Sequence, residues 1–466
     1  MRSSRWFVLS ALLLSGTAPL NAQSPDRATL VARIDSIAEA ALATKRAPGV
    51  SIAVVRGTDT LVLRGYGFAD LEHKVPVNDR TIFRIGSLTK QFTSAAVMKL
   101  VEQRKIRLDA TIRDYLPDYP GPGASVTIHQ LLNHTSGIPS YTDLGDRFWT
   151  KSRLDLSHAE MLDLFAQDSL EFRPGTSWKY NNSGYYVLGM ILERVTGQPY
   201  SALVQQSQFS PLGLTQTSYC DDVRIVENRA RGYGVTSEGM VNADPISMTS
   251  PYSAGALCST ARDLVHWNHA LVNGEVVTRA SFEKMIAPTT ITGGPTQPYG
   301  YGLATGELGG HRMVAHSGGI NGFSAFMAHY PAGGTTREPV TIVVLANGPL
   351  NTGDMQTKIA RAVFNIPAPE TVPEVPLTAE QRALYTGTFD LAPALPMQVR
   401  VFVQDNVLMA QASAPGQNAF ALKHVGNHTF DGPAGIRLVF GVEGGTATSV
   451  IVHQGGGTTT GKRISS

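Results

Sequence analysis

Cysteine is nearly absent from this chain: Cys220 and Cys258 are the only two among 466 residues. There is no Cys-x-x-Cys, no His-Glu-x-x-His and no clustered His/Asp spacing, so the signatures of a metal or haem site are missing. The expectation is a protein with no metal and no organic cofactor. Charge is sparse as well, at 16% Asp, Glu, Lys and Arg with a formal net charge of +2. No Lys or Arg run forms a stripe that could neutralise successive phosphates, which argues against nucleic acid as a partner. Long hydrophobic runs are also lacking. The N-terminal one, Trp6 to Leu14, is about nine residues, well short of the roughly 20 that a membrane-spanning helix needs.

What is present is 42% hydrophobic residue, enough to build cores and too much for a disordered chain. The length exceeds what one core usually organises, so two globular units are expected. Arg2 and Arg5, the short apolar run, and small or polar residues up to Ala22 have the layout of a secretory signal peptide over residues 1–22. Cleavage near Ala22 would leave no transmembrane anchor in the mature chain and place it in the periplasm or outside the cell. Leu20, three residues before the cut, is not ideal, and an uncleaved N-terminal anchor is the alternative. Export permits a disulfide between the two cysteines. Spacing cannot say whether their Cα atoms come within the roughly 7 Å that a bridge needs, and two buried thiols are the favoured reading.

Periodicity divides the rest. Leu30, Val31, Ile34, Ile37 and Ala38 predict a helix within 27–45, and Val50 to Arg56 with Thr60 to Phe68 reads as a β-hairpin. Residues 86–290 are mostly helical stretches, such as Ser94 to Gln103 and Val187 to Val195, broken by Pro and Gly. Strands return at Met313 to His316, Phe323 to Tyr330 and Val340 to Ala346, and Met355 to Phe364 closes the unit as a helix. The expected fold of 23–366 is α/β (α+β), an antiparallel sheet built from both chain ends and flanked by helices. A linker follows at 367–376, marked by Pro367, Pro369, Pro373 and Pro376. Beyond it, 377–466 holds short strands at close spacing, a small antiparallel β-barrel or sandwich.

Three places carry chemistry. In Gly86-Ser87-Leu88-Thr89-Lys90, leading into an apolar helix, residues three apart share a face, so Lys90 reaches back to the Ser87 hydroxyl. A desolvated lysine with a lowered pKa can take the serine proton. Ser-x-x-Lys alone is weak, and an ordinary helix start is its bland alternative. In Lys179-Tyr180-Asn181-Asn182, Tyr180 offers a phenol to relay a proton and Asn182 a donor and acceptor for a substrate amide. An aromatic loop anchor with an Asn cap would look the same. His316-Ser317-Gly318-Gly319 ends a predicted strand, where glycine lets substrate approach the backbone. A lone histidine such as His316 is more often structural.

In this order the three resemble the signature of the serine β-lactamase and penicillin-binding-protein superfamily, in particular the class C β-lactamase-like branch with its D-aminopeptidases, carboxypeptidase-like enzymes and esterases. Leu131 to Pro139, containing His134, and Ala254 to Leu264 extend the resemblance, which runs from about Ile34 to Phe364. It implies Ser87 as acylated nucleophile, and Lys90 and Tyr180 as base and acid. It further implies Asn182, His316, Ser317 and Gly318 as substrate-orienting residues, and the Ser87 and Gly319 N–H groups as oxyanion hole. His134 reads as structural. His316 stands where the superfamily has a lysine, and Ser317 where it has a threonine. A group only partly charged near pH 7 then replaces a permanent cation, which argues against efficient hydrolysis of anionic β-lactams. The C-terminal unit resembles the lipocalin-like barrel of some D-specific aminopeptidases. The implied function is an exported serine hydrolase acting on a small peptide or amide. A carboxylesterase or weak β-lactamase is the alternative within enzymes, and a non-hydrolytic penicillin-binding receptor the alternative outside them.

Overall fold

The computed structural model describes residues 26–368, 372–392, 397–413, 419–432, 436–454 and 457–465. The expected leader, 1–22, and Pro369 of the expected linker lie outside the described residues.

Helix α1, Arg27–Ala43, starts at Asp26, whose carboxylate accepts from the Thr29 N–H, and buries Leu30, Ile34 and Ala38 along one stripe. Strand β1, Gly49–Arg56, is buried along nearly its whole length and turns at Gly57 into β2, Asp59–Asp70. The short β3, Val75–Pro76, lies at that edge. From the other end of the unit come β4, Ala304–Leu308, β5, His311–Ile320, β6, Phe323–Tyr330, and β7, Val340–Ala346. The antiparallel sheet runs in the order β3-β2-β1-β7-β6-β5-β4, so a single seam, β1 against β7, joins the chain's early and late segments, with Val50 opposite Ala346.

β1 and β7 read as continuous apolar runs because helices cover both faces of the sheet. On one face α1 packs with α5, Thr352–Phe364, around Ile34, Ile52, Val344 and Ile359. The other face meets the inserted helical region through α2, Thr89–Glu102, and α4, Ala261–Val272, where Phe92 and Trp267 stack with centroids 3.9 Å apart. Between them in sequence lies α3, Asn182–Thr196. β5 extends well past the predicted His316, because Ser317-Gly318-Gly319 continues the pairing with β6. α2 begins five residues before the predicted Ser94, and its polar start of Thr89, Lys90 and Gln91 is fully buried. Among the described residues no helix is long and apolar enough to cross a membrane.

Cys220 and Cys258 form a disulfide, with Cα atoms 5.2 Å apart, which corrects the reading as two thiols. The cause is non-local pairing. Ser218–Tyr219 runs antiparallel to Leu257–Ser259, and the Cys220 N–H donates to the Ala256 carbonyl. No local pattern in either segment announces that pairing.

The C-terminal unit is a nearly closed, nine-stranded antiparallel barrel. Its strands follow in the spatial order Phe420–Ala421, Val407–Ala412, Gln398–Gln404, Gly387–Asp390, Gly457–Ser465, Thr446–Gln454, Arg437–Glu443, Thr429–Asp431 and Lys423–Gly426. The two edge strands are separated in sequence only by Leu422, whose N–H donates to the Leu408 carbonyl, so the chain itself bridges most of the opening. Phe389, Phe430, Phe440 and Val450 fill the interior.

Candidate active site

Ser87 sits in a single 3₁₀ turn, Gly86–Leu88, that feeds directly into α2. Two glycine contacts press this turn against β5. Gly86 has φ +51°, and a Cβ there would lie 2.8 Å from the Gly319 carbonyl oxygen; a Cβ at Gly318 would fall on the Ile85 carbonyl. Behind Ser87 the Phe83–Arg84 strand pairs with Leu257–Ser259, which carries one half of the disulfide.

Lys90, on the first turn of α2, is wholly buried. Its Nζ lies 3.1 Å from Ser87 Oγ, 2.7 Å from Asn182 Oδ1 and 2.8 Å from the Ala254 carbonyl oxygen. Burial drives its pKa far below the usual lysine value. A neutral amine has two N–H bonds and one lone pair. With both N–H groups donated to Asn182 and Ala254, which can only accept at those atoms, the lone pair is left for the Ser87 hydroxyl. Asn182 is fixed in turn by donating from Nδ2 to Thr142 Oγ1, 3.0 Å, and from its main chain to Ser140 Oγ, 3.1 Å. Asn181 caps α3 by accepting from the Gly184 N–H.

Tyr180 closes the other side. Its hydroxyl is shut away from solvent without a hydrogen-bond partner among the described residues, and burial raises its pKa. The Lys90 ammonium position lies 4.8 Å from the Tyr180 ring centre. His316 is buried 6.1 Å from that ring, centre to centre, and chiefly burial lowers its pKa to about 3. It is therefore neutral at pH 7, a correction to the partly charged group expected from the sequence: the sequence shows the residue type, while its depth is set by Tyr180 and Tyr299 packed against it. Ser317 is exposed on the opposite pleat from His316 and accepts from His316 Nδ1 through its carbonyl, 2.6 Å. β4 pairs with β5 only from His311 to Ala315, so beyond His316 that edge of β5 runs on along the cleft without β4.

The cleft over Ser87 is small, about 80 Å³, and is walled by Asn182, Thr142, Gly319, Asn321 and the apolar Phe148, Trp149 and Ile246. None of its lining residues is charged among those described. Two groups around the site, the Ala254 carbonyl and Tyr299, are not among the site residues that the sequence motifs point to. The Ala254 carbonyl is a main-chain atom and carries no residue signature. Tyr299, which touches His316, sits in Tyr299-Gly300-Tyr301-Gly302, an aromatic-glycine repeat that could have drawn notice.

This combination of a sheet made from both chain ends and a buried Ser–Lys–Tyr–Asn cluster has known counterparts. Residues 34–364 match the family model described as Beta-lactamase. The chain belongs to the beta-lactamase family. Within that family, a penicillin-binding protein of Bacillus subtilis is 28% identical over 73% of this chain and 77% of its own length. Protein flp of Staphylococcus aureus is 31% identical over 68% of this chain, which spans 62% of that protein. Among solved structures, a D-amino acid amidase from Ochrobactrum anthropi superposes with a TM-score of 0.63 at 25% identity, covering 72% of this chain and 99% of the amidase. An octameric penicillin-binding protein homologue from Pyrococcus abyssi, 24% identical with a TM-score of 0.66, covers 92% of this chain and 99% of its own, which extends the shared fold into the barrel. The protein is a beta-lactamase-fold hydrolase related to penicillin-binding proteins and D-amino acid amidases.

Proposed function

We propose that this family member is an exported serine hydrolase that cleaves small amides or peptides, D-residues included, through an acyl-enzyme on Ser87. The observation that carries the reading is the buried Lys90, whose two N–H groups are taken by Asn182 and Ala254 so that its lone pair faces Ser87 Oγ. Ser87 Oγ attacks the acyl carbon as its proton passes to Lys90 Nζ. Tyr180 hands a proton to the leaving nitrogen, the C–N bond breaks, and water then hydrolyses the Ser87 ester by the reverse proton path. The N–H groups of Ser87 and Gly319 form the oxyanion hole, each worth about 3 kcal/mol at the transition state if typical donor values hold. Asn182 orients the substrate amide. Gly318 lets β5 lie against the nucleophile turn, while His316 and Ser317 shape the strand edge without supplying a charge.

An uncharged cleft with a neutral His316 favours a substrate whose reacting end is an amide or ester over one that presents a carboxylate there. The amidase neighbour supports the amide, and the disulfide supports an oxidising compartment. The test is turnover of D-phenylalanine amide, D-alanine p-nitroanilide, a p-nitrophenyl ester and nitrocefin by the mature protein and by Ser87→Ala. Amide cleavage that vanishes with Ser87 is the expected result. Cleavage of the ester or nitrocefin alone would replace the amide reading with the esterase or β-lactamase one. A lasting adduct with no turnover of any substrate would mark a receptor.

A further inference from the structure

Behind the Ser87 cleft, three buried rings from three separate parts of the chain are joined end to end. The Asn181 N–H donates to His134 Nδ1 at 3.1 Å, and His134 Nε2 lies 3.1 Å from Tyr299 Oη. Tyr299 Oη lies 2.8 Å from His316 Nε2, and His316 Nδ1 lies 2.6 Å from the Ser317 carbonyl oxygen. The two ends are main-chain groups of fixed polarity. An N–H can only donate and a carbonyl can only accept, so every proton in between has one place. His134 must carry its proton on Nε2 and give it to Tyr299, Tyr299 must donate to His316 Nε2, and His316 must carry its proton on Nδ1. The four links close only with both imidazoles neutral and in opposite tautomers. Protonating His316 would turn Nε2 into a donor and leave the buried Tyr299 hydroxyl proton with no acceptor.

The relay also grips the catalytic loop. The His134 carbonyl accepts from the Lys179 N–H at 3.1 Å while its ring accepts from the Asn181 N–H, so one residue holds the main chain on both sides of Tyr180. The His134 ring centre is 4.5 Å from that of Tyr180. His134 does this from φ +64°, a left-handed conformation rare for a residue with a side chain, at a fully buried position.

We propose that Tyr299 is a positioning residue for catalysis: by ordering the protons of His134 and His316 it holds the Tyr180 loop and the β5 edge in register with Ser87 and keeps positive charge off that wall. The proposal rests on the serine hydrolase reading above. The titratable groups around His316 are Tyr299 before β4, Tyr180 before α3, Lys90 on α2, and His134 beyond Tyr299. In Tyr299→Phe the shape is kept, but His316 Nε2 loses its donor and His134 Nε2–H its acceptor. A proton on His316 then no longer opposes the relay.

The test has two parts. In the wild-type protein, histidine ring ¹⁵N spectra, assigned with His134→Gln and His316→Gln, are expected to show His134 as the Nε2–H and His316 as the Nδ1–H tautomer, both neutral down to pH 5. Identical tautomers, or a protonated ring at pH 6, would overturn the relay without any need for a catalytic variant. In Tyr299→Phe, kcat is expected to fall roughly ten- to hundredfold, as for loss of a buried hydrogen-bond partner, with KM little changed. The pH profile of kcat should gain an ionisation between about pH 4 and 7 that the wild type lacks, reflecting a free histidine. A lower melting temperature with an unchanged pH profile would reduce Tyr299 to packing and sink the proposal. If Ser87→Ala keeps full activity, the hydrolase reading fails; if Ser87→Ala is dead and Tyr299→Phe matches wild type, the positioning role alone fails.

Discussion

At Ser87 the decisive physical quantity is the protonation of Lys90, and it is set by depth more than by any partner. An ammonium at that position would be satisfied by three oxygens and by the Tyr180 and Tyr185 rings, all of which favour the charge, yet complete burial outweighs them in the direction of its pKa. Arginine keeps its proton under the same burial, since its guanidinium does not deprotonate in proteins. Lys90→Arg is therefore expected to abolish acylation, read as loss of p-nitrophenol release from a p-nitrophenyl ester, even if the protein remains folded by circular dichroism. Release at the wild-type rate would remove Lys90 as base. The neighbouring Gly86 is constrained by geometry alone. Its φ of +51° and the 2.8 Å approach of a virtual Cβ to the Gly319 oxygen leave no room for a side chain. Gly86→Ala should cost about 1–3 kcal/mol of strain at that site, and much of it can be relieved by moving the Ser87 turn away from β5. The expected signature is an acylation rate that falls further than the melting temperature suggests. Loss of stability with an unaltered acylation rate would show that the turn does not need the contact.

Elements with a local period were legible and those with a distant partner were not. α1 is legible through Leu30, Ile34 and Ala38, and β1 and β7 through short runs rich in Val and Ile, because each pattern is written within one segment. The three motifs were readable in order, and the fold does bring Ser87, Lys90, Tyr180, Asn182 and Gly319 to one place. Invisible in advance were the pairing of Ser218–Tyr219 with Leu257–Ser259 and the neutrality of His316, since both depend on what is packed alongside. That small three-stranded sheet ties the site together: Leu257–Ser259 joins Phe83–Arg84, just before Ser87, and follows the Ala254 carbonyl that holds Lys90. The disulfide locks it by closing a segment of 38 residues, worth up to about 4 kcal/mol in the chain-entropy account. Cys220→Ser with Cys258→Ser should lower the urea midpoint and also reduce kcat, because the strand it frees positions two site groups. A lower midpoint with kcat intact would confine the bridge to stability.

Over the whole molecule, neutral buried histidines make the catalytic unit sensitive to acid. His316 is lowered to about 3, His329 to about 4 and His134 far below its ordinary value, all chiefly by burial. In the unfolded chain these rings take up protons below about pH 6.5, while the folded chain refuses them until far lower pH. The unfolded state then binds more protons, so stability rises with pH through this window and falls as pH drops from about 6.5 towards 4. His316 alone contributes on the order of 5 kcal/mol across its full range. None of these rings belongs to the barrel, whose core is built from residues from Leu377 onward, while the two large cores of the catalytic unit end at Phe364. Among the described residues the two parts share no core residue. A chain ending at Pro376 should therefore fold with the same acid-dependent melting as the catalytic unit of the full protein and be acylated at Ser87 within about threefold of its rate, since no catalytic group is removed. Relative turnover of short and long amide substrates is expected to change, because an appended domain acts on access before it acts on bond breaking. Melting curves from pH 4 to 8 and parallel assays of both chains decide the matter: unaltered preference would leave the barrel without a part in substrate selection, and loss of the catalytic unit's own transition would refute the independence of the cores.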